Sequence, residues 1–384
     1  MADNKDKKVL NVPALRFPEF SDEWEKCLIS DFGMVITGNT PPTKDVDNYK
    51  DGIKLWASPI DLGKSKWIYD TQTKLSVTGF EKTRKLPQGA ILVTCIGSTI
   101  GKMGMATCEM ATNQQINSII TNSDNDKDFV YYAIESKFPK YLTSVAIQAV
   151  PIISKSSFER LPNIRTTLTE QKKIGRFLSL IDKRIETQNK IIEDLRLLRD
   201  AISVCLLSPK SDWKCYKVSE IADIGRGRVI SSKEIANQNN PQYPVYSSQT
   251  SNEGIMGYLD NYAFDGEYIT WTTDGANAGT VFYRNGRFNC TNVCGTLKLH
   301  YQFDAYYCSL VLANATKKFV SVNLANPKLM NNTMAAIKFY LPPFQEQKRM
   351  AQLFRKMDEN ITLEHKLLLS YQKQKHYLLQ QMFI

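Results

Sequence analysis

TEQKKIGRFLSLIDKRI, residues 169–185, returns as QEQKRMAQLFRKMDENI over residues 345–361. Glu170, Gln171, Lys172, Asp182 and Ile185 reappear as Glu346, Gln347, Lys348, Asp358 and Ile361, at one constant offset, from 170 to 346 and from 182 to 358. Weaker echoes keep the same order: Ser21-Asp22-Glu23-Trp24 answers Lys210-Ser211-Asp212-Trp213, and Thr112-Asn113 answers Thr291-Asn292. An internal repeat of this kind marks a duplicated unit. Divergence concentrated ahead of the repeated stretches implies two copies of one job done on two targets.

Each repeated stretch opens a helical pattern. Leu161-Pro162 and Leu341-Pro342-Pro343 precede them, where proline is tolerated because first-turn amides have no helical acceptor. Thr167 and Glu170 have the spacing of a capping box, so starts near residues 168 and 344 are expected. Ile174, Phe177, Leu178, Ile181, Ile185, Ile192, Leu195, Ile202 and Leu206 then recur at steps of three and four. Met350, Leu353, Phe354, Met357, Ile361, Leu368, Tyr371, Leu378 and Met382 do the same, with Gln188 and Glu364 interrupting the two seams at matching positions. Each helix should run roughly 38 residues, about 57 Å at 1.5 Å per residue. A stripe that long outreaches one small domain, which favours the two helices pairing antiparallel over each docking on its own domain.

The segments ahead of the helices, 21–165 and 208–341, are rich in β-branched and aromatic residues punctuated by turn signals such as Gly38-Asn39, Asp265-Gly266 and Asn285-Gly286. They read as two small α+β domains, with 1–20 as a leading segment and 166–207 and 342–384 as the helices. Ala90–Thr94 and Tyr268–Thr272 alternate as strands, and short helices are expected over 128–136 and 303–313, around Tyr131-Tyr132 and Tyr306-Tyr307. Both strands open into a glycine-paced loop, Gly97-Ser98-Thr99-Ile100-Gly101-Lys102 and Asp274-Gly275-Ala276-Asn277-Ala278-Gly279. Such a loop either makes a tight turn with positive φ or lets amides, hydroxyls and Lys102 approach a phosphate. The spacing is not that of a Walker loop.

Composition narrows the function classes. With 384 residues and 42% apolar content, the chain can bury two ordinary cores. No apolar run approaches the roughly 18 residues of a membrane span, and MADNKDKKVL lacks the apolar core of a signal peptide, so a cytoplasmic protein without a membrane partner is expected. Cys290 and Cys294 are the one close pair among eight cysteines, and with three histidines in the chain they make a poor zinc site, so no metal is expected. A net charge of +10, spread evenly, suits a protein laid along a polyanion, although basic housekeeping proteins share it. Side chains suited to bases or phosphates cluster in loops: Thr37, Asn39, Thr40, Ser98, Thr99, Lys102, Gln114 and Gln115 in the first domain. The second offers Arg226, Arg228, Ser247, Ser248, Gln249, Thr273, Asp274 and Asn277. Any one of them taken alone could be a solvated loop residue.

LPNIRTTLTEQKKI and LPPFQEQKRM, with the opening VPALRFPEFSDEW and the strand-loop GEYITWTTDGANAGTVFY, resemble the specificity subunit of type I restriction-modification enzymes. The resemblance runs over nearly the whole chain. It implies two target-recognition domains, each reading one half of a split DNA sequence, separated by two antiparallel helices. Two methylation subunits are expected to dock on that assembly and restriction subunits further out, with S-adenosylmethionine, ATP and Mg on those partners and none on this chain. Glu170, Gln171, Lys172, Ile181 and Ile185, with Glu346, Gln347, Lys348, Met357 and Ile361, are the expected subunit-interface positions on the helices. The first copy departs from the pattern, with Thr166-Thr167-Leu168-Thr169 in place of the Pro-Pro pair.

Two other classes are weighed against this. An autonomous DNA methyltransferase needs an Asn/Asp-Pro-Pro-Tyr/Phe motif to hold a flipped base and a glycine-rich methyl-donor loop. Leu341-Pro342-Pro343-Phe344 lacks the leading residue and sits at a helix entry. A coiled-coil adaptor binding proteins through both domains is set aside by the family resemblance alone.

Overall fold

The chain runs twice through a set of short strands and helices, and a long helix closes each round, although the small helix before the second sheet's hairpin in one round falls after it in the other. The computed structural model describes residues 11–144, 151–321 and 326–384. It divides the chain inside the long helices: unit 1 takes the chain to Ile191 together with Glu364–Ile384, and unit 2 is Ile192–Leu363. Each unit therefore owns one α+β head and a length of both helices, so the helices do not stand apart as a separate body.

In unit 1 the elements are β1 (Glu25–Leu28), α1 (Ile29–Phe32), β2 (Gly33–Thr37), β3 (Lys54–Ala57), β4 (Trp67–Ile68) and β5 (Thr73–Leu75). There follow α2 (Val77–Glu81), β6 (Ile91–Thr94), β7 (Met103–Ala106), β8 (Ala111–Thr112), β9 (Ile116–Thr121), α3 (Lys127–Ser144), α4 (Lys155–Glu159) and β10 (Pro162–Arg165). The first long helix, α5, spans Leu168–Leu206. The main sheet has the order β2-β9-β6-β7-β4, a second has β5-β3-β8, and β1 pairs with β10. Four consecutive buried residues in β6, Ile91–Thr94, identify the central strand, covered on both faces as an unbroken apolar run requires. Phe129, Tyr132, Phe158, Ile174, Leu178, Leu378, Met382 and Phe383 meet in one core, which fastens the head to both long helices.

Unit 2 repeats the plan with β11 (Lys214–Lys217), α6 (Val218–Ile221), β12 (Ala222–Arg226), α7 (Ser232–Ala236), β13 (Tyr243–Tyr246) and β14 (Ile255–Leu259). It continues with β15 (Tyr268–Thr272), β16 (Val281–Arg284), β17 (Asn289–Cys290), β18 (Cys294–Leu299), α8 (Ala305–Ala315), α9 (Asn331–Ala336), β19 (Lys338–Leu341) and α10 (Phe344–Met382). Its main sheet is β12-β18-β15-β16, its second β14-β13-β17, and β11 pairs with β19. Strand for strand this is the order of unit 1 without the β4 edge. Even the parallel exceptions agree, β3 with β8 and β13 with β17. Trp271, Tyr307, Leu312, Met334 and Phe354 form its core.

Both long helices begin at the expected residues and run 39 residues; Pro343 stands directly ahead of α10, whereas Pro162 opens β10 and not α5. Within unit 1 they are antiparallel: Asp182 lies 2.9 Å from Lys375, and Gln188 donates to the backbone oxygen of Glu364 at 3.2 Å, so one number falls as the other rises. Within unit 2, Arg199 on α5 meets Asp358 on α10 in the same sense. Two local expectations change. Leu353, expected in the seam, is 42% exposed, because Met350 and Phe354 turn toward the head of unit 2. The capping box is also replaced: the Glu170 carboxylate accepts from Arg16 at 2.7 and 2.8 Å and from the Thr166 hydroxyl, so a side chain of the leading segment holds it.

Candidate nucleic-acid interface

A glycine decides how the loops of each head come together. At Gly38, just past β2, a Cβ would lie 2.3 Å from the carbonyl oxygens of Thr112 and Asn113. At Gly227, just past β12, it would lie 2.2 Å and 2.4 Å from those of Cys290 and Thr291. Only a residue without a side chain lets these segments touch. The sequence echo of Thr112-Asn113 with Thr291-Asn292 comes within one residue of this, since the structure sets Thr112 and Asn113 against Cys290 and Thr291. The glycine-paced loops also fold alike, with Gly97 and Gly101 at φ 94° and 91° and Gly275 and Gly279 at 99° and 83°. Gly97 donates to Pro151 O at 3.0 Å and Gly275 to Pro327 O at 3.0 Å, a matching strap in each unit. Tight turns with positive φ are thus what these loops form.

Around this frame the polar residues differ. In unit 1 the Thr37 hydroxyl donates to Asn117 Oδ1 at 2.7 Å, the Thr40 hydroxyl bonds Gln114, and Asn113 Nδ2 donates to Gln115 Oε1 at 3.0 Å. Asn39 accepts from the Arg84 amide at 2.8 Å, and Arg84 reaches Thr37 O at 2.7 Å. Gln115 lies beside Gly97, its Nε2 3.7 Å from where a Cβ would stand. Thr37, Asn39, Thr40, Gln114 and Gln115 are therefore gathered at one end of the sheet with the loop that carries an exposed Ser98 and a half-exposed Thr99. Lys102, at the far end of that loop, instead lines a cleft of about 890 Å³ with Lys64, Arg176 and Lys183.

In unit 2, Arg226 takes the place of Thr37, its guanidinium donating to Thr273 Oγ1 at 2.9 Å, to Asp274 at 3.0 Å and to Asn292 O at 2.5 Å. Asn277 Nδ2 donates to Ser248 O at 3.1 Å, which brings the Ser247–Gln249 stretch to the same end. Two expectations are corrected here. Thr273 is fully buried, with its hydroxyl spent on Arg226 and Asp274, so it supports the loop and presents nothing outward. Arg228 is forked onto Glu234, whose carboxyl the bond to Arg228 holds below its ordinary range. The turn therefore carries one guanidinium paired to Asp274 and one paired to Glu234, not two free cations.

Sequence reasoning passed over Arg84, Asn117, Asn292 and Lys328, the last 3.7 Å from Asp274. Asn292 could have been found, since the sequence echo sets it against Asn113, which stands beside two chosen residues. The others carry no local signal, because long-range strand pairing brings them in.

The repeated helix positions turn out to be fasteners. Gln171 Nε2 donates to Thr166 O at 2.7 Å and its Oε1 accepts from Asp126 N at 3.0 Å. Gln347 makes the same pair of bonds, to Pro342 O at 2.9 Å and from Asp304 N at 3.1 Å. Glu170, Gln171 and Gln347 are buried inside their own units, a correction to their place among interface positions. Their bonds satisfy backbone groups at the helix entry and at the start of α3 or α8 that burial would otherwise orphan. Ile181 is buried, Ile185, Glu346, Met357 and Ile361 are half-buried, and Lys172 and Lys348 are exposed.

Asp182 and Asp358 complete the repeat. Asp182 accepts from the Tyr132 hydroxyl and pairs with Lys375 at 2.9 Å. Asp358 accepts from the Tyr306 hydroxyl and pairs with Arg199 at 2.5 Å. Lys375 and Arg199 are themselves one repeat apart. The tyrosines are not, because Asp126 and Asp304 fix the helix register and put Tyr306 level with Asp128. Burial pulls the Lys375 ammonium down, but Glu135 and Asp182 outweigh it and its net shift is upward.

Residues 21–197 and 210–370 match the type I restriction modification DNA specificity domain. The chain belongs to that family. A putative type I specificity subunit N-terminus from Mycoplasma pneumoniae is 46% identical over 140 residues, which are 36% of this chain and 74% of that protein. The type I restriction enzyme MpnII specificity subunit of the same organism is 41% identical over 143 residues, 37% of this chain and 42% of its own length. Another putative specificity subunit from that organism has 40% of its length matched. Among solved structures, the type I restriction-modification system S subunit from M. genitalium superposes with a TM-score of 0.67 at 19% identity, covering 97% of this chain and 99% of that one. A chain from a type I R-M system assembly superposes at 0.53 with 11% identity, covering 93% and 96%. At such identities the likeness is one of fold. The expected repeat of two α+β heads on long helices is thereby the architecture of the family.

Proposed function

We propose that this chain is the DNA-specificity subunit of a type I restriction-modification system, in which each head reads one half of a split target through its strand-end loops. One observation carries this reading: both heads build the same frame around Gly38 and Gly227, yet fill it with different polar side chains. A shared scaffold with exchanged contact residues is what two readers of different short words need. Thr37, Asn39, Thr40, Ser98, Thr99, Gln114 and Gln115 are the contact set of one half-site. Arg226, Ser247, Ser248, Gln249, Asp274 and Asn277 are that of the other, and Lys102 is assigned to phosphate, while Arg228 is held by Glu234.

On this reading the chain binds without catalysing. Two methylation subunits dock on the helices, where Leu180, Leu197, Leu198, Val204, Leu363 and Leu369 are exposed, and restriction subunits join them. S-adenosylmethionine, ATP and Mg belong to those partners, and the complex works in the cytoplasm. No helix among the described residues is long and apolar enough to cross a membrane. The test is selection from a pool of random duplexes by the full chain, alone and with its methylation subunits, followed by assay with labelled methyl donor. Enrichment of a split motif, with methyl transfer only in the complex, is expected. Methyl transfer by the chain alone contradicts the assignment.

A further inference from the structure

Arg284, at the end of β16, is the only buried arginine among the described residues. Its guanidinium lies 3.6 Å from the ring centre of Tyr246 and 4.4 Å from that of Phe282. It donates to Glu253 O at 2.7 Å and to Thr270 Oγ1 at 3.3 Å, and no ion pair to a carboxylate is formed among the described residues. Burying a guanidinium without a partner charge is costly. What this arrangement secures is a single carbonyl, and that carbonyl belongs to a strained loop.

The loop runs from Ser247 to Gly254, between β13 and β14. Asn252, Glu253 and Gly254 lie in succession in the left-handed region, at φ 48°, 53° and 86°. For residues other than glycine that conformation is unfavourable, so surrounding bonds must impose it. Ser247 N donates to Gly254 O at 2.8 Å, the Gln249 amide bonds Ile255 O, Asn277 ties Ser248 O to the glycine-paced loop, and Arg284 holds Glu253 O. Despite this fastening, Thr250, Ser251, Asn252 and Glu253 are exposed. The corresponding place in unit 1, after β3, holds a plain turn in which Ser58 N donates to Asp61 at 2.8 Å. In the whole connection from β3 to β5, Gly63 at φ 84° is left-handed and no residue with a side chain is.

We propose that the Ser247–Gly254 loop is a preorganised base-reading element for the half-site taken by unit 2, and that Arg284 is its positioning residue, touching no DNA itself. The inference rests on the proposed reading of the heads as half-site readers. Preorganisation concentrates the entropy cost of ordering polar side chains in folding, so that it need not be met on binding. Arg284 therefore governs discrimination at one half-site and leaves the phosphate-driven part of affinity untouched.

The experiment selects from a random duplex pool with the full chain and its methylation subunits, comparing the wild type with Arg284→Met and Arg284→Lys. Expected for Arg284→Met is a loss of about 5- to 100-fold in discrimination at the unit 2 half-site, the span of one or more base contacts. Preference at the other half-site and affinity for unrelated duplex should stay unchanged. Arg284→Lys should rescue only in part, because an ammonium cannot stack between two rings and donate in a fork. If Arg284→Met proves unfolded by thermal melting, Arg284→Lys decides, and it should weaken the same half-site alone. Wild-type preference at the unit 2 half-site retained by the folded variants overturns the role of Arg284 and the loop. A wild-type complex that enriches no split motif overturns the underlying reading instead.

Discussion

Gln188 Nε2 donates to the backbone oxygen of Glu364 at 3.2 Å and also bonds its carboxylate, across 176 residues. That separation is the repeat offset itself, so a position of α5 meets the position of α10 that repeats it. The polar interruption seen in both seams is thus one contact. A partly buried polar pair of this kind costs stability relative to an apolar pair and fixes which residues lie opposite which. Asp182 with Lys375, and Arg199 with Asp358, then stand at symmetric distances from it along the chain.

The Asp358 cluster should be measurable as coupling. Asp358→Ala leaves Arg199 half-buried without its carboxylate and deprives the Tyr306 hydroxyl of its acceptor. After discounting for partial exposure, a loss of about 1–2 kcal/mol is expected. Arg199→Met in the same background should cost little more, and chemical denaturation of the four-member cycle reads the coupling. Additive losses would show that the pair contributes nothing.

Glu234 is expected to restrain Arg228. Its carboxyl is held below the ordinary range by the bond to Arg228, so the pair is present above that depressed value and is lost as pH falls through it. At neutral pH the guanidinium is therefore occupied. Glu234→Gln should release it to phosphate, tightening binding to all duplexes alike and steepening the salt slope by about one. Titration at two salt concentrations checks this, and an unchanged slope assigns Arg228 to the fold alone.

Helix length is expected to set the unread spacer between the half-sites. Four residues inserted between Asp194 and Leu195 add about 6 Å, close to one helical turn, so the seam shifts phase only slightly. Each head should keep its own half-site while the spacer lengthens by about one or two base pairs. Methylation mapping across a genome exposed to the complex reads the spacing, and an unchanged spacer removes the helices as its ruler.

Periodicity made both long helices legible to within a residue or so, and Pro342-Pro343 the entry of α10, since a 3.6-residue pattern and a proline at a helix entry are local properties, whereas Pro162 opens β10. The glycine-paced loops were legible too, but as two alternatives, and only the observed φ values chose the turn. What could not be read was partnership. Arg226 and Arg228 were visible as cations, whereas Asp274 and Glu234 reach them through strand pairing and a short helix. Glu170, Gln171 and Gln347 stood out as repeated polar residues on a helix surface, a pattern that serves an interface and an internal fastener equally. Their burial follows from the head folding over the helix entry. Arg284 gave no signal at all, being one arginine at a strand end whose meaning depends on two rings and a loop carbonyl.

The claim that each head reads its own half is tested most directly by exchange. The head of unit 2, residues 208–341, is replaced with that of another family member of known target, and methylated sites are mapped with the full complex. One half of the recognised sequence should change to that of the donor head, with the other half and the spacer kept. A change in both halves, or in neither, contradicts the account.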